Sequence, residues 1–71
     1  METITITTEY IRLQDLMKLA DMVSSGGEAK QLIQDGQVTV NGETCLQRGR
    51  KLRPGDVVAY ANRTCTPAYA S

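Results

Sequence analysis

The chain has 71 residues, of which 41% are hydrophobic and 23% are charged, and its eight basic and eight acidic side chains leave no net charge. This length predicts one small domain, residues 1–71, with a thin core and no space for a large enclosed cofactor pocket. The sequence contains neither a run of 18 apolar residues nor a recognisable signal peptide. We therefore expect a cytoplasmic protein that has no membrane partner.

Residues that commonly support catalysis or metal binding are sparse. The chain has no His, and its two cysteines are Cys45 and Cys65, with no CxxC pair. A zinc site needs more soft ligands than these, and Cys45 has no His to activate it as a nucleophile. We therefore expect no metal, no cofactor, no small-molecule substrate and no enzymatic activity. In a cytosolic protein we expect reduced thiols, and a single disulfide between the two cysteines is the alternative.

Charge is distributed unevenly along the chain. Residues 1–47 carry three basic and seven acidic side chains, whereas residues 48–71 carry five basic and one acidic side chain. Such asymmetry predicts a positive patch, which is either a solvated loop or a phosphate-binding surface.

The first half of the chain predicts a strand and two helices. Residues 3–8 are all β-branched, and threonine alternates with isoleucine, which predicts a strand with Ile4 and Ile6 facing the core. An amphipathic helix of about three turns is predicted from Arg12 onward. Its apolar residues at helical spacing are Leu13, Leu16, Met17 and Ala20. A second helix is predicted between a capping box at Ser25 and Glu28 and a terminating glycine, Gly36. Its buried stripe is Ala29, Leu32 and Ile33.

The second half returns to the two-residue period of strands. Val38 and Val40 alternate with a polar residue, and Asn41-Gly42 is a favoured hairpin turn before a return strand over residues 43–47. A turn at residues 54–56 precedes a last strand, which includes Val57, Val58 and Tyr60. The weak pattern of residues 62–71 predicts a mobile tail.

Cations cluster where they favour phosphate binding. The segment 48–53 contains four of them, Arg48, Arg50, Lys51 and Arg53. Lys30 lies near the start of the second helix, where exposed amides also attract anions, and Arg12 opens the first helix. If the helices pack side by side, these cations converge on one surface.

Several stretches of the sequence resemble the S-four RNA-binding domain, also called the alpha-L motif. They are Arg12-Leu13 and the segments 24–33, 36–43 and 51–58. The resemblance covers about residues 10–60, and residues 28–42 are its most specific part. The leading strand and the glycine pair before Glu28 look most like the stand-alone bacterial YaaA-like group.

The resemblance implies an α+β fold with two helices packed against a small, mostly antiparallel sheet. It also implies a non-catalytic protein that binds structured ribosomal or transfer RNA, with ribosome-associated proteins as further partners. The resemblance implies Arg12, Ser25 and Lys30, and by a looser match Arg50 and Lys51, as RNA-binding residues. The predicted contacts also include Gln31, Arg48 and Arg53, which could add a hydrogen bond and two further phosphate contacts. The chain departs from the family at Gly26, where many members carry an arginine, and at Gln14, where many carry an acidic residue.

A different functional class stays open on the residues alone. The same fold could act as a protein-interaction adaptor, associated with ribosomes or replication, that does not bind RNA. The strand containing Ile4 and Ile6 would then offer a sheet edge for strand addition.

Overall fold

Two helices pack against short strands in the computed structural model, which describes residues 1–70. The elements are β1 (Glu2–Ile6), β2 (Ile11–Arg12), α1 (Leu13–Leu19), α2 (Gly26–Gln34), β3 (Val38–Val40), β4 (Glu43–Thr44), β5 (Lys51–Leu52), β6 (Val58–Tyr60) and β7 (Arg63–Tyr69).

The strands form one larger sheet and one separate ribbon. The sheet has the order β1-β7-β6-β3-β4, in which β1 and β7 are parallel and the other neighbours are antiparallel. The ribbon is the antiparallel pair β2–β5. The predicted α+β class, with a mostly antiparallel sheet, is confirmed.

The core is built from both helices and from the inner faces of the strands. Its fully buried side chains include Leu13, Leu16, Met17, Ile33, Val38, Val40, Leu52 and Val58. Ile6 is buried and Ile4 packs against the core, as the alternation predicted. Both cysteines are buried as free thiols, and burial raises the pKa of Cys65.

Helix α1 is shorter than predicted, because the chain leaves the helix just after Ala20. It has seven residues, or about two turns. Asp21 adopts a left-handed conformation, with φ of 58°. The Arg63 guanidinium donates to the carbonyl oxygens of Ala20 and Asp21, at 2.5 and 3.0 Å, and makes an ion pair with Glu2. A side chain from the far end of the chain therefore satisfies carbonyl groups at the helix C-terminus.

Helix α2 begins and ends as its sequence signals predict. The Ser25 hydroxyl accepts a hydrogen bond from the Glu28 amide at 3.2 Å. The Glu28 carboxylate accepts from the Ser24 amide, one residue earlier than a capping box requires. Gly36 has φ of 76°, the left-handed conformation expected just beyond a helix.

The hairpin at Asn41-Gly42 is confirmed, but its return strand is short. Both turn residues have positive φ, 53° and 85°, as a two-residue turn of this type requires. Strand β4 ends at Thr44 instead of residue 47. The Cys45 amide still donates to Val38, and the chain then turns away from the sheet.

The predicted mobile tail is wrong for most of its length. Residues Arg63–Tyr69 form β7, which lies between β1 and β6 in the sheet. The strand predicted as the last one is β6, which continues through a turn at residues 61–62 into β7. Pairing with β1, about sixty residues earlier, stabilises β7, and local periodicity carries no signal of such a contact. Ser71 lies outside the described residues.

Candidate nucleic-acid interface

The ribbon places two cations side by side. Arg12 pairs with Lys51, and Ile11 pairs with Leu52. Leu52 is fully buried and Ile11 is half-buried, whereas both cations are exposed. Directly opposite residues of an antiparallel pair point to the same face, and like charges in this position destabilise the pair. An anion bound between Arg12 and Lys51 would offset that cost.

The basic loop, residues 48–53, lies against the beginning of α1. The Leu13 amide donates to the Arg50 carbonyl at 2.9 Å, and the Gln14 amide donates to the Arg48 carbonyl at 3.1 Å. These amides belong to the first turn of the helix, where no intrahelical acceptor exists. These bonds fix the loop beside Arg12 and occupy both amides. An anion bound at this position would therefore be contacted by side chains and not by these amides.

The ribbon pairing and the loop hydrogen bonds bring together four cations, which we call the basic surface: Arg12, Arg48, Arg50 and Lys51. Three other cations form ion pairs: Lys18 with Asp15, Arg53 with Glu9, and Arg63 with Glu2. Within residues 1–70, no member of the basic surface forms such an ion pair. No direct ion pair within the described part of the chain therefore neutralises them, although the charge of half-buried Arg50 contributes to lowering the pKa of Asp56.

Lys51 is also held by an aromatic ring. Its ammonium lies 4.9 Å from the centre of the Tyr10 ring. This distance is within the range of a cation–π contact. Tyr10 is half-buried and Lys51 is exposed, so this contact leaves the Lys51 charge accessible to solvent. Nothing in the sequence alone indicated this contact.

A turn network supports the end of the basic loop. The Asp56 carboxylate accepts from the Arg53 amide at 2.9 Å and from the Asn41 side chain at 3.0 Å. These hydrogen bonds hold the pKa of Asp56 below its ordinary value of 3.8. The Asn41 side-chain oxygen in turn accepts from the Val57 amide at 2.9 Å. The network joins the β3–β4 turn to the turn that follows the loop.

The remaining predicted contacts lie on or next to α2. The Ser25 hydroxyl is engaged in the helix cap, and the Gln31 amide donates to both Asp35 carboxylate oxygens at 3.1 Å. Lys30 is exposed on the same helix. Helix α2 packs against α1, but the ribbon contacts do not include these residues. Their assignment to RNA stays a prediction, as does that of the basic surface and Arg53.

An open groove adjoins the basic surface. Its volume is about 440 Å³, and it is lined by Thr8, Tyr10, Ile11, Arg12 and Asp15. Among residues 1–70, no cluster of three or more potential metal-ligating side chains occurs. No helix in that range is long and apolar enough to cross a membrane.

A small mixed sheet packed against two helices, with an exposed basic ribbon beside them, defines a small α+β domain. The chain belongs to the S4 (S-four) domain family, which matches residues 4–66. The family resemblance predicted from the sequence is confirmed.

Two similar proteins extend this assignment. The chain is 51% identical over 55 residues to the probable ribosome maturation protein RlbA of Bacillus subtilis (strain 168), covering 78% of each chain. Its fold is similar to the solution structure of YbcJ from E. coli, described as having an alpha-L motif involved in RNA binding. That similarity has a TM-score of 0.72 and 30% identity, and covers 96% of this chain and 87% of YbcJ. The family and this neighbour support a role in RNA binding.

Proposed function

We propose that this protein is a non-catalytic, cytoplasmic binder of structured ribosomal or transfer RNA that acts in a ribosome-related process. The observation that carries the proposal is the Arg12–Lys51 pair, with the basic loop hydrogen-bonded beside it. The similarity to a probable ribosome maturation protein favours ribosomal RNA as the first candidate.

The basic surface is suited to the phosphate backbone of a folded RNA. The Arg12 guanidinium can donate two parallel hydrogen bonds to one phosphate, whereas the Lys51 ammonium acts as a compact point charge. Such contacts set the position of an RNA and recognise its shape more than its sequence. The acidic side chains elsewhere on this neutral protein repel polyanions that bind in other orientations.

The experiment is a salt titration of binding to transcripts of ribosomal and transfer RNA, followed by fluorescence anisotropy. Four neutralised phosphates give a log–log salt slope of about −3. Arg12→Gln/Lys51→Gln removes two of the four cations and should reduce the slope to about −1.5. The matched control, Thr3→Glu/Asn62→Asp, lowers the net charge by the same amount at two exposed positions, one in β1 and one in the β6–β7 turn.

The control should keep the wild-type slope, since its substitutions are not on the basic surface. Equal slopes for both double variants would contradict the proposed contacts, because only total charge would then matter. Circular dichroism confirms equal folding before either comparison is made.

A protein-interaction adaptor is the second candidate, and the position of β1 favours it. This strand lies at the edge of the sheet, and Glu2 is its one charged residue. An edge strand with one charge, at its end, can accept an added strand. Thr3→Lys/Thr5→Lys should block such pairing, whereas Arg50→Glu/Lys51→Glu should leave it intact. A protein partner that is lost only with the threonine variant would support the adaptor over the RNA binder.

A further inference from the structure

The groove beside the basic surface has a chemistry different from that surface. Its volume of about 440 Å³ falls within the range of small-ligand sites, roughly 300–1,000 Å³. Tyr10 and Ile11 supply apolar lining, and the hydroxyl of Thr8 donates to the Tyr10 carbonyl at 2.7 Å. Arg12 and Asp15 bring one positive and one negative charge, so the groove itself is not a concentrated anion site.

The Asp15 carboxylate makes the groove unsuited to binding a phosphate. A phosphate in the groove would meet this negative charge, which repels it. Lys18 contacts one carboxylate oxygen at 3.2 Å, and the Asp15 side chain is 40% exposed. The carboxylate therefore keeps oxygen lone pairs that can accept hydrogen bonds from a ligand. A neutral ligand with adjacent N–H donors and a flat apolar face matches this lining.

Resting on the proposed RNA binding, we propose that the groove holds one unpaired guanine of an RNA whose backbone lies on the basic surface. Guanine presents two adjacent N–H donors, N1–H and the N2 amino group, which match the two oxygens of one carboxylate. Adenine lacks this pair of donors on its Watson–Crick edge. The base stacks on the face of the Tyr10 ring that the Lys51 ammonium does not cover.

Arg12 links the two parts of this site. It lines the groove and also pairs with Lys51 in the ribbon. A nucleotide can therefore place its base in the groove while its phosphate contacts the Arg12 guanidinium. Because paired bases do not expose the Watson–Crick edge, the guanine must come from a bulge or a loop. With one aromatic residue in the lining, the groove takes one base and does not act as an extended stacking platform.

The test uses three RNA hairpins with the same stem: one with a single bulged guanosine, one with a bulged adenosine and one without a bulge. The intact protein should bind the guanosine hairpin about tenfold more tightly than the other two, as expected for a bidentate base contact. Asp15→Asn should remove the preference for guanosine over adenosine while retaining salt-dependent binding of the hairpin without a bulge. Tyr10→Leu keeps an apolar side chain but removes the stacking ring, so it should weaken the guanosine complex to the level of the other two hairpins.

The outcomes separate this proposal from the one on which it rests. Equal, salt-dependent binding of all three hairpins by the wild type overturns the guanine site and leaves the RNA-binding function standing. A guanosine preference that persists in Asp15→Asn also overturns the site, because the carboxylate is then not the acceptor. Failure to bind any of the hairpins in a salt-dependent way overturns both proposals.

Discussion

Asn41 offers a direct test of how the turns around the basic loop are held. Its side chain donates to Asp56 at 3.0 Å and accepts from the Val57 amide at 2.9 Å. Its backbone has φ of 53°, a left-handed conformation that asparagine tolerates better than most residues. Asn41→Ala removes both hydrogen bonds and imposes a conformational penalty, whereas Asn41→Gly removes the hydrogen bonds alone.

The magnitude follows from these two contributions. Two exposed side-chain hydrogen bonds are worth about 1–2 kcal/mol in total, one of them being to a charged group. Placing alanine in the left-handed conformation adds about 1 kcal/mol. Asn41→Ala should therefore lower the free energy of unfolding by about 2–3 kcal/mol, and Asn41→Gly by about 1–2 kcal/mol. A domain of this length has a stability of only about 4–10 kcal/mol, so both effects are measurable.

Urea unfolding followed by circular dichroism gives the two free energies, and thermal unfolding should show Tm lowered by roughly 10–20 °C for Asn41→Ala. The difference between the variants isolates the conformational penalty. If both variants unfold at the wild-type urea concentration, the turn network does not stabilise the fold. If the two are equally destabilised, the positive φ is not the reason for asparagine at this position.

Three further predictions concern the α2 N-terminus, family divergence and pH. Ser25→Ala should lower the free energy of unfolding by about 1 kcal/mol in urea, whereas Ser25→Asp, which retains a capping oxygen, should not. Gly26→Arg should tighten RNA binding and steepen the salt slope by about 1, because it adds one cation at a position where an added Cβ meets no atom within 4 Å; an unchanged slope would place residue 26 away from the RNA. Hydrogen bonds lower the pKa of Asp56, first from the Arg53 amide, so its stabilising contribution is complete above its ordinary pKa of 3.8 and is lost as the pH falls through the lower folded value. Acid unfolding of Asp56→Asn should accordingly show a weaker pH dependence below about pH 4, and an unchanged profile would contradict that assignment.

Local signals in the sequence predicted the local parts of the fold. The cap at Ser25, the glycine at Gly36 and the turn at Asn41-Gly42 each depend on residues within a few positions, and each is confirmed. The alternation at Ile4 and Ile6 likewise predicted which face of β1 is buried.

Long-range contacts account for what the sequence did not show. Strand β7 is stabilised by β1, whose residues precede it by about sixty positions, and Arg63 helps end α1 from 43 positions beyond Ala20. The Asn41–Asp56 bond joins two turns that were each predicted, although nothing in either one indicates the other. From the sequence, the cations were expected to converge only if the two helices packed side by side. The direct pairing of Arg12 with Lys51 is seen only in the register of the β2–β5 ribbon.

Recovery of crosslinked RNA from cells expressing the protein tests the central claim most directly. The wild type is compared with Arg12→Gln/Lys51→Gln and with the charge-matched control Thr3→Glu/Asn62→Asp, after equal folding and expression are confirmed. The account predicts enrichment of one ribosomal or transfer RNA with the wild type and the control, and its loss with the Arg12/Lys51 variant. Absence of RNA enrichment with the wild type, or equal enrichment with all three proteins, would contradict it.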